Sequence, residues 1–272
     1  MQQFGAIGIA ACFVLAAAFC GPAFDRKGND QMKNRPVLAR LFCGAAVLAV
    51  FPLLTACTRE EKTEISAYDL EWGSQESFAD IGKSLKTLGI SGITDELLEE
   101  MERSYADMEP EILMNKTAVL LTVLGSGQYN EDLTEWTPDN DSVYAFDMEV
   151  FRIEHMYTDF LNGIRMIGGG ALDFENVTEN MDNVDWENGT GTRQVTFEWG
   201  QKQYTLEAEV QNDWFDPKVL EQLNDIIAGT GEQRRLYATT DGYQSCIIFF
   251  CDKDWADGFF EKTGLLLSQK AG

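Results

Sequence analysis

Hydropathy divides this chain at Cys57. The stretch Arg40 to Cys57, RLFCGAAVLAVFPLLTAC, carries no charge after Arg40, and an earlier run, Gly5 to Phe24, carries none at all. No uncharged stretch as long as Leu41 to Cys57 recurs beyond that point. The two parts therefore want different solvents. The first suits a lipid interior or an export pathway, and the second must build its own core in water. The 216 residues from Cys57 on are enough for one domain, or for a domain with a helical appendage.

Three basic residues, Lys33, Arg35 and Arg40, precede the apolar run Leu41 to Leu54. A positive segment followed by a short apolar one is the order of a secretory signal, and the run is short for a spanning helix, which needs about 20 apolar residues. The four residues Leu54-Thr55-Ala56-Cys57 resemble the lipobox of bacterial lipoproteins: Leu, two small residues, then Cys. The resemblance implies a diacylglycerol on the Cys57 sulfur and Cys57 as the mature N-terminus. It covers the signal alone. No named family is recognised for the domain behind it.

Two readings account for the earlier run. Met32 is the true start, with Met32-Lys33-Asn34-Arg35 opening the signal, or both runs insert as a helical hairpin. The segment between them holds Arg26, Lys27, Lys33, Arg35 and Arg40 against Asp25 and Asp30. Positive loops stay cytoplasmic, so either reading puts the residues after Cys57 on the outer side of the cytoplasmic membrane. The expected organisation is an apolar extension over 1–31, a signal over 32–56, a tether over 57–73, a helical block over 74–125 and an α+β part over 126–272.

Residues 1–56 hold five of the 21 Lys/Arg and two of the 45 Asp/Glu, which leaves 16 bases against 43 acids from Cys57 on, a net of −27. Such a balance excludes a nucleic-acid partner, which wants a basic face. It also opposes flat adsorption on anionic headgroups. Two cysteines, Cys246 and Cys251, belong to the domain and flank Ile247-Ile248-Phe249-Phe250. Five residues of strand separate their Cα atoms by about 16 Å, beyond the ~7 Å reach of a disulfide. Both read as strand fillers, at least one of them buried.

Periodicity supplies the elements. Phe78, Ile81, Leu85 and Leu88 share a helical face, with Ser74 as a cap and Gly89 as a stop. Thr94 caps a second helix with Leu97, Leu98, Met101 and Tyr105 inward, and Ile112 to Leu124 makes a third after Pro110. Val143 to Val150 alternates as a strand, and Ile153 to Ile167 reads as a helix stopped by Gly168-Gly169-Gly170. Leu172, Phe174 and Val177 suggest a short strand, followed by an acidic loop over Glu179 to Gly191. Gln194 to Trp199 and Gln203 to Val210 form one hairpin, and Arg235 to Thr239 and Cys246 to Cys251 another. Between them Asp216-Pro217 opens a helix, and Asp252 caps a last one with Trp255, Phe259 and Phe260 inward. Three helices followed by β-α-β-β-β-α-β-β-α define an α+β fold with a mostly antiparallel sheet and its helices on one face.

Chemistry is sparse. His155, the one histidine, stands beside Glu154 with Asp159 a turn on, but no G-x-S-x-G elbow accompanies it. It reads as a polar-face residue. Asp182, Asp185, Glu187 and Asn188 cluster within seven residues and offer oxygens suited to calcium, although Asp and Asn favour turns for local reasons alone. Asp139, Asn140 and Asp141 form a smaller group. Aromatic residues crowd the loop ends: Trp136, Tyr144, Trp186, Trp199, Trp214, Phe215, Tyr243 and Trp255. Buried, they are core and hairpin pairs; exposed, they make a surface for a peptide, glycan or protein. No cofactor motif is present. The expected function is a membrane-anchored, outward-facing lipoprotein with a non-catalytic binding domain. The alternatives are an exported hydrolase built on carboxylates, marked by a deep cleft beside His155, and an accessory subunit of a membrane complex.

Overall fold

The computed structural model describes residues 76–106 and 115–270. The lipobox, the Ser74 cap, Pro110 and Ile112 lie outside the described residues. Helices α1 (Phe78–Thr87), α2 (Asp95–Ala106) and α3 (Lys116–Gly125) come first. Ser77 caps α1 by accepting from the Asp80 amide, Thr94 caps α2 through the Leu97 amide, and Asn115 caps α3 through Thr117 and Ala118. Each side-chain oxygen satisfies an amide that the first turn leaves without a helical partner. At the other end of α1 the amides of Gly89 and Ile90 return to Lys86 and Leu85, so the chain leaves the helix at Leu88.

A two-stranded ribbon, β1 (Gln128–Tyr129) with β2 (Trp136–Thr137), follows in the Gly-, Asn- and Asp-rich stretch after α3. The remaining order is β3 (Tyr144–Asp147), a 3-10 turn (Ile153–His155), α4 (Met156–Ile167), β4 (Glu175–Asp185), β5 (Thr190–Trp199), β6 (Lys202–Glu209), α5 (Lys218–Gly229), β7 (Arg235–Thr240), β8 (Ser245–Cys251) and α6 (Lys253–Thr263). This is the β-α-β-β-β-α-β-β-α succession that the periodicity predicts. The fold is α+β, and the strands of the described residues pair antiparallel.

The strands do not form one sheet. They divide into β3-β8-β7 and β4-β5-β6. The outer edge of β6 is closed by side chains instead of a strand. Gln222 of α5 accepts from the Glu207 amide and donates to its carbonyl, and Asp216 accepts from the Glu209 amide. β7 is closed by the C-terminal segment, where Ala238 and Ser268 exchange backbone bonds. Such bonds satisfy ladder groups at these positions, which another chain could otherwise pair with.

One core serves both sheets. α4 touches β3, β8 and β4, and α5 touches β6 and β7. Phe160, Phe197, Leu206, Phe215, Leu223 and Ile248 meet in a single buried cluster. The opposite face of β3-β8-β7 is covered by α3, and Phe249 packs with Trp255 and Phe259 of α6. Both faces of β8 are therefore apolar, which buries Cys246 and Cys251 alike as free thiols. Burial pushes each thiol up to about 12. Phe260, expected inward, is 48% exposed: α6 presents Ala256 and Phe259 to the core and turns Phe260 outward.

Gly163 lets α4 lie against β3. A Cβ there would sit 2.6 Å from the Tyr144 ring, which is buried in the core cluster and cannot retreat. Gly258 of α6 has open space around it. Gly163→Ala should therefore destabilise the protein by about 1–3 kcal/mol, the cost of overpacking. Gly258→Ala should be neutral or stabilising by up to ~1 kcal/mol, since alanine is the better helix former. Urea melts of the two variants check this, and equal effects would contradict the close approach.

Candidate functional site

The acidic stretch expected as a loop is a strand. β4 pairs with β5 from Glu175↔Glu198 to Asp185↔Thr190, with register shifts between Glu175 and Thr178 and between Asn180 and Asn183. Its side chains are mostly solvated, so a polar sequence can still form a ladder. Every second position near its middle, Val177, Glu179 and Met181, turns partly inward. Among these Glu179 meets Arg193 of β5, and both side chains are buried, at 4% and 1% exposure.

Arg193 stands opposite Ala208 in the β5–β6 ladder, where a small neighbour leaves room for it. Its Nη1 donates to Glu179 Oε2 at 2.9 Å and to the Ile153 carbonyl at 2.6 Å. The guanidinium lies 5.4 Å from the Tyr157 ring centroid and 5.6 Å from that of Trp186. Glu179 Oε1 in turn accepts from the amide and the hydroxyl of Thr158, in the first turn of α4, where a negative charge suits the helix dipole. Arg193 Nε finds no acceptor among the described residues. A buried guanidinium held by one carboxylate, one carbonyl and two rings is a rigid hub, because losing any partner exposes an uncompensated charge.

Four loops radiate from this hub to one end of the domain. The β4–β5 turn carries Trp186. Here Asp185 accepts from the amides of Glu187 and Asn188 and from Asn188 Nδ2, which also holds its carboxyl below the usual range. Gly189 closes the turn at φ 64°, with the Asn212 side chain where a Cβ would be. The Asn212 amide donates to the Gly189 carbonyl at 2.9 Å, and that second loop carries Trp214. The Tyr157 hydroxyl accepts from the Asp216 amide just beyond. The third segment runs from Met148 to Phe151. Val150 donates to the Asp213 carbonyl, Phe215 donates to the Met148 carbonyl, and Glu149 bridges Trp214. On its other side Met148 donates to the Gln244 carbonyl and Gln244 Nε2 to Glu149 Oε2, which joins the β7–β8 turn carrying Tyr243. Phe151, Trp186, Trp214 and Tyr243 are 74%, 49%, 41% and 52% exposed. Each of these four hydrogen-bonded neighbouring segments thus carries one large exposed ring, and exposed apolar surface of this kind marks interaction sites.

The other residues singled out by sequence fall elsewhere. His155 ends the 3-10 turn, exposed, and Asp159 beside it is bound to Arg152 at 3.0 Å. Asp182 Oδ2 accepts from Asn180 Nδ2 while the Asp182 amide donates to Asn180 Oδ1, and Asp185, Glu187 and Asn188 close a tight turn. No group of three or more His, Cys, Asp or Glu among the described residues is arranged to hold a metal ion. Asn140 and Asp141 bind Ser91 and Ser142, tying the helical block to the start of β3, and Asp139 accepts from Gln128. A cleft of about 430 Å³ opens between the end of α1 and the start of α6. Asp141, Arg234, Asp252 and Trp255 line it, and His155 does not. Trp136, Trp199 and Trp255 are partly buried, while Tyr144 and Phe215 are core. Phe151, Arg193 and Glu179 were not singled out by sequence reasoning. Arg193 shares its strand parity with Val195 and Phe197, and that inward register is the signal that marks it.

Comparison with family models, curated proteins and solved structures finds no match.

Asp147 crowds its neighbours at this end. Its carboxyl is held above its ordinary value, first by desolvation, then by the charges of Glu149 and Asp241, against a lowering bond from the Glu149 amide. A carboxyl raised in the folded state costs stability once ionised, so the cost is absent below its ordinary value of 3.8 and complete above its folded value. Asp147→Asn should thus raise the melting temperature at pH 7, and the gain should vanish as pH falls below about 4. Thermal melts across this range check the sign.

Proposed function

We propose that the chain is a lipid-anchored, outward-facing binding protein that presents the aromatic end of its α+β domain to a ligand. The observation that carries this reading is the set of exposed rings, Phe151, Trp186, Trp214 and Tyr243, on loops fixed by backbone hydrogen bonds. Exposed rings of this size cost solubility and do little for the core, and a preordered surface binds without losing loop entropy. The anchoring half of the reading rests on the basic residues before Leu41 to Leu54 and on Leu54-Thr55-Ala56-Cys57. Residues between Cys57 and the first described helix would serve as the tether. The acidic surface keeps the domain off anionic headgroups and in solution. Attachment by this reading is through the lipid on Cys57, and no helix among the described residues is long and apolar enough to cross a membrane.

Cys57→Ser tests the anchor. Cells fed a palmitate analogue should label the wild type and leave Cys57→Ser unlabelled. The wild type should also be cut by protease added outside spheroplasts. Equal labelling of both chains, or full protection from the protease, would contradict the reading.

A further inference from the structure

We propose that the aromatic end binds a basic peptide segment, reading Lys or Arg side chains of an extended chain. This deepens the binding reading above and rests on it. The four segments 147–151, 185–189, 211–215 and 241–245 contain six carboxylates, Asp147, Glu149, Asp185, Glu187, Asp213 and Asp241, and no lysine or arginine. Asp185 and Asp241 are spent on their own turns. Asp147 accepts from the Glu149 amide and Glu149 from Gln244, one bond on each carboxylate, while Glu187 and Asp213 are the chain neighbours of Trp186 and Trp214, and Asp147 already feels the repulsion of Glu149. Such a surface favours an incoming positive charge and disfavours a neutral or acidic one.

The protein shows the recognition geometry three times within itself. Arg193 lies over Tyr157 and Trp186 with Glu179 on its Nη1. Lys116 lies over Phe78 and Tyr105 with Glu102 at 3.1 Å. Arg234 lies 4.4 Å from the Phe250 ring centroid with Glu232 at 2.9 Å. In each case a ring face and a carboxylate share one cation, a pairing worth more than either alone when partly desolvated. Trp186 has Arg193 on one side and remains 49% exposed, with Glu187 next in the chain. Trp214 is 41% exposed on a backbone bridged to that of Glu149, with Asp213 preceding it in the chain.

The size of the surface selects a peptide over a small amine. Four neighbouring backbone rows, at ~4.8 Å per row, span about 14 Å, which an extended chain crosses in about four residues. A single ammonium would cover one ring.

Calorimetric titration of the full chain in neutral detergent tests this. The probes are a decapeptide alternating Lys and Arg with Gly, its Glu and Asp counterpart, and a neutral tetrasaccharide. The basic peptide should bind saturably and the other two should not. Trp214→Ala, Phe151→Ala and the triple variant Glu149→Gln/Glu187→Gln/Asp213→Asn should each weaken binding at least tenfold. The triple variant Asp95→Asn/Glu96→Gln/Glu99→Gln on α2, which removes the same net charge, should weaken it less than twofold. Equal weakening by the two triples would mean diffuse attraction and would overturn the proposal. Absence of basic-peptide binding would also overturn it. Saturation by the saccharide in that case would preserve the binding surface and reject its cationic ligand, whereas silence to all three probes would count against both.

Discussion

The buried pair of Arg193 and Glu179 is the interaction on which the aromatic end of the domain depends. Neither charge could stand alone at 1% and 4% exposure. The pair is tolerable because each member is also hydrogen-bonded, Arg193 to the Ile153 carbonyl and Glu179 to Thr158. Those bonds determine what the pair connects. It ties β4 to β5, both to the start of α4, and the whole to the underside of Trp186. A hydrophobic substitute could fill the volume, and such replacements are often no less stable. It could not direct a carbonyl, a helix terminus and an indole to the same point.

From this hub the aromatic end follows step by step. Tyr157 lies against Arg193 and accepts from the Asp216 amide, which places the Trp214 loop. That loop accepts the Val150 amide and reaches Gly189 through Asn212. The strand order contributes as well. Because β3 pairs with β8, the segment after β3 runs beside the β7–β8 turn and brings Tyr243 to the same end. The apolar core buries one side of this assembly and leaves its rim of rings and carboxylates in water. The same economy explains the sheet edges. β6 and β7 are closed by α5 and by the C-terminal segment, and β4 carries irregularities that spoil its edge for strand addition.

Helical stripes and the two hairpins were legible in the sequence because their periods are local. Val195, Phe197, Leu206 and Ala208 alternate whatever the rest of the chain does, and Asp252 caps α6 through the Trp255 amide as its position implies. The division into two sheets was not legible. A hairpin's pattern says which strand follows in sequence, but not that β3 lies beside β8 or that helix side chains close β6. β4 escaped because a solvated edge strand lacks apolar alternation, so its Asp and Asn content suggested a loop. The ion pair escaped for a different reason. One arginine among 21 basic residues looks like any other until its parity on β5 is read against Val195 and Phe197. Trp186, Trp214 and Tyr243 were visible as residues, and only the tertiary pairing shows that their segments neighbour that of Phe151.

Hydrogen exchange tests most directly the claim that the buried pair preorganises the end. Arg193→Met/Glu179→Met removes both charges together and so leaves no lone ion to unfold the domain. In the wild type the amides of Val150, Thr158, Asn212 and Phe215 should exchange slowly, as donors in fixed bonds. In the double variant they should exchange at least tenfold faster, while the amides of β7, β8 and α3 keep their protection. Unchanged protection of the four amides, or fast exchange there in the wild type, would contradict the account.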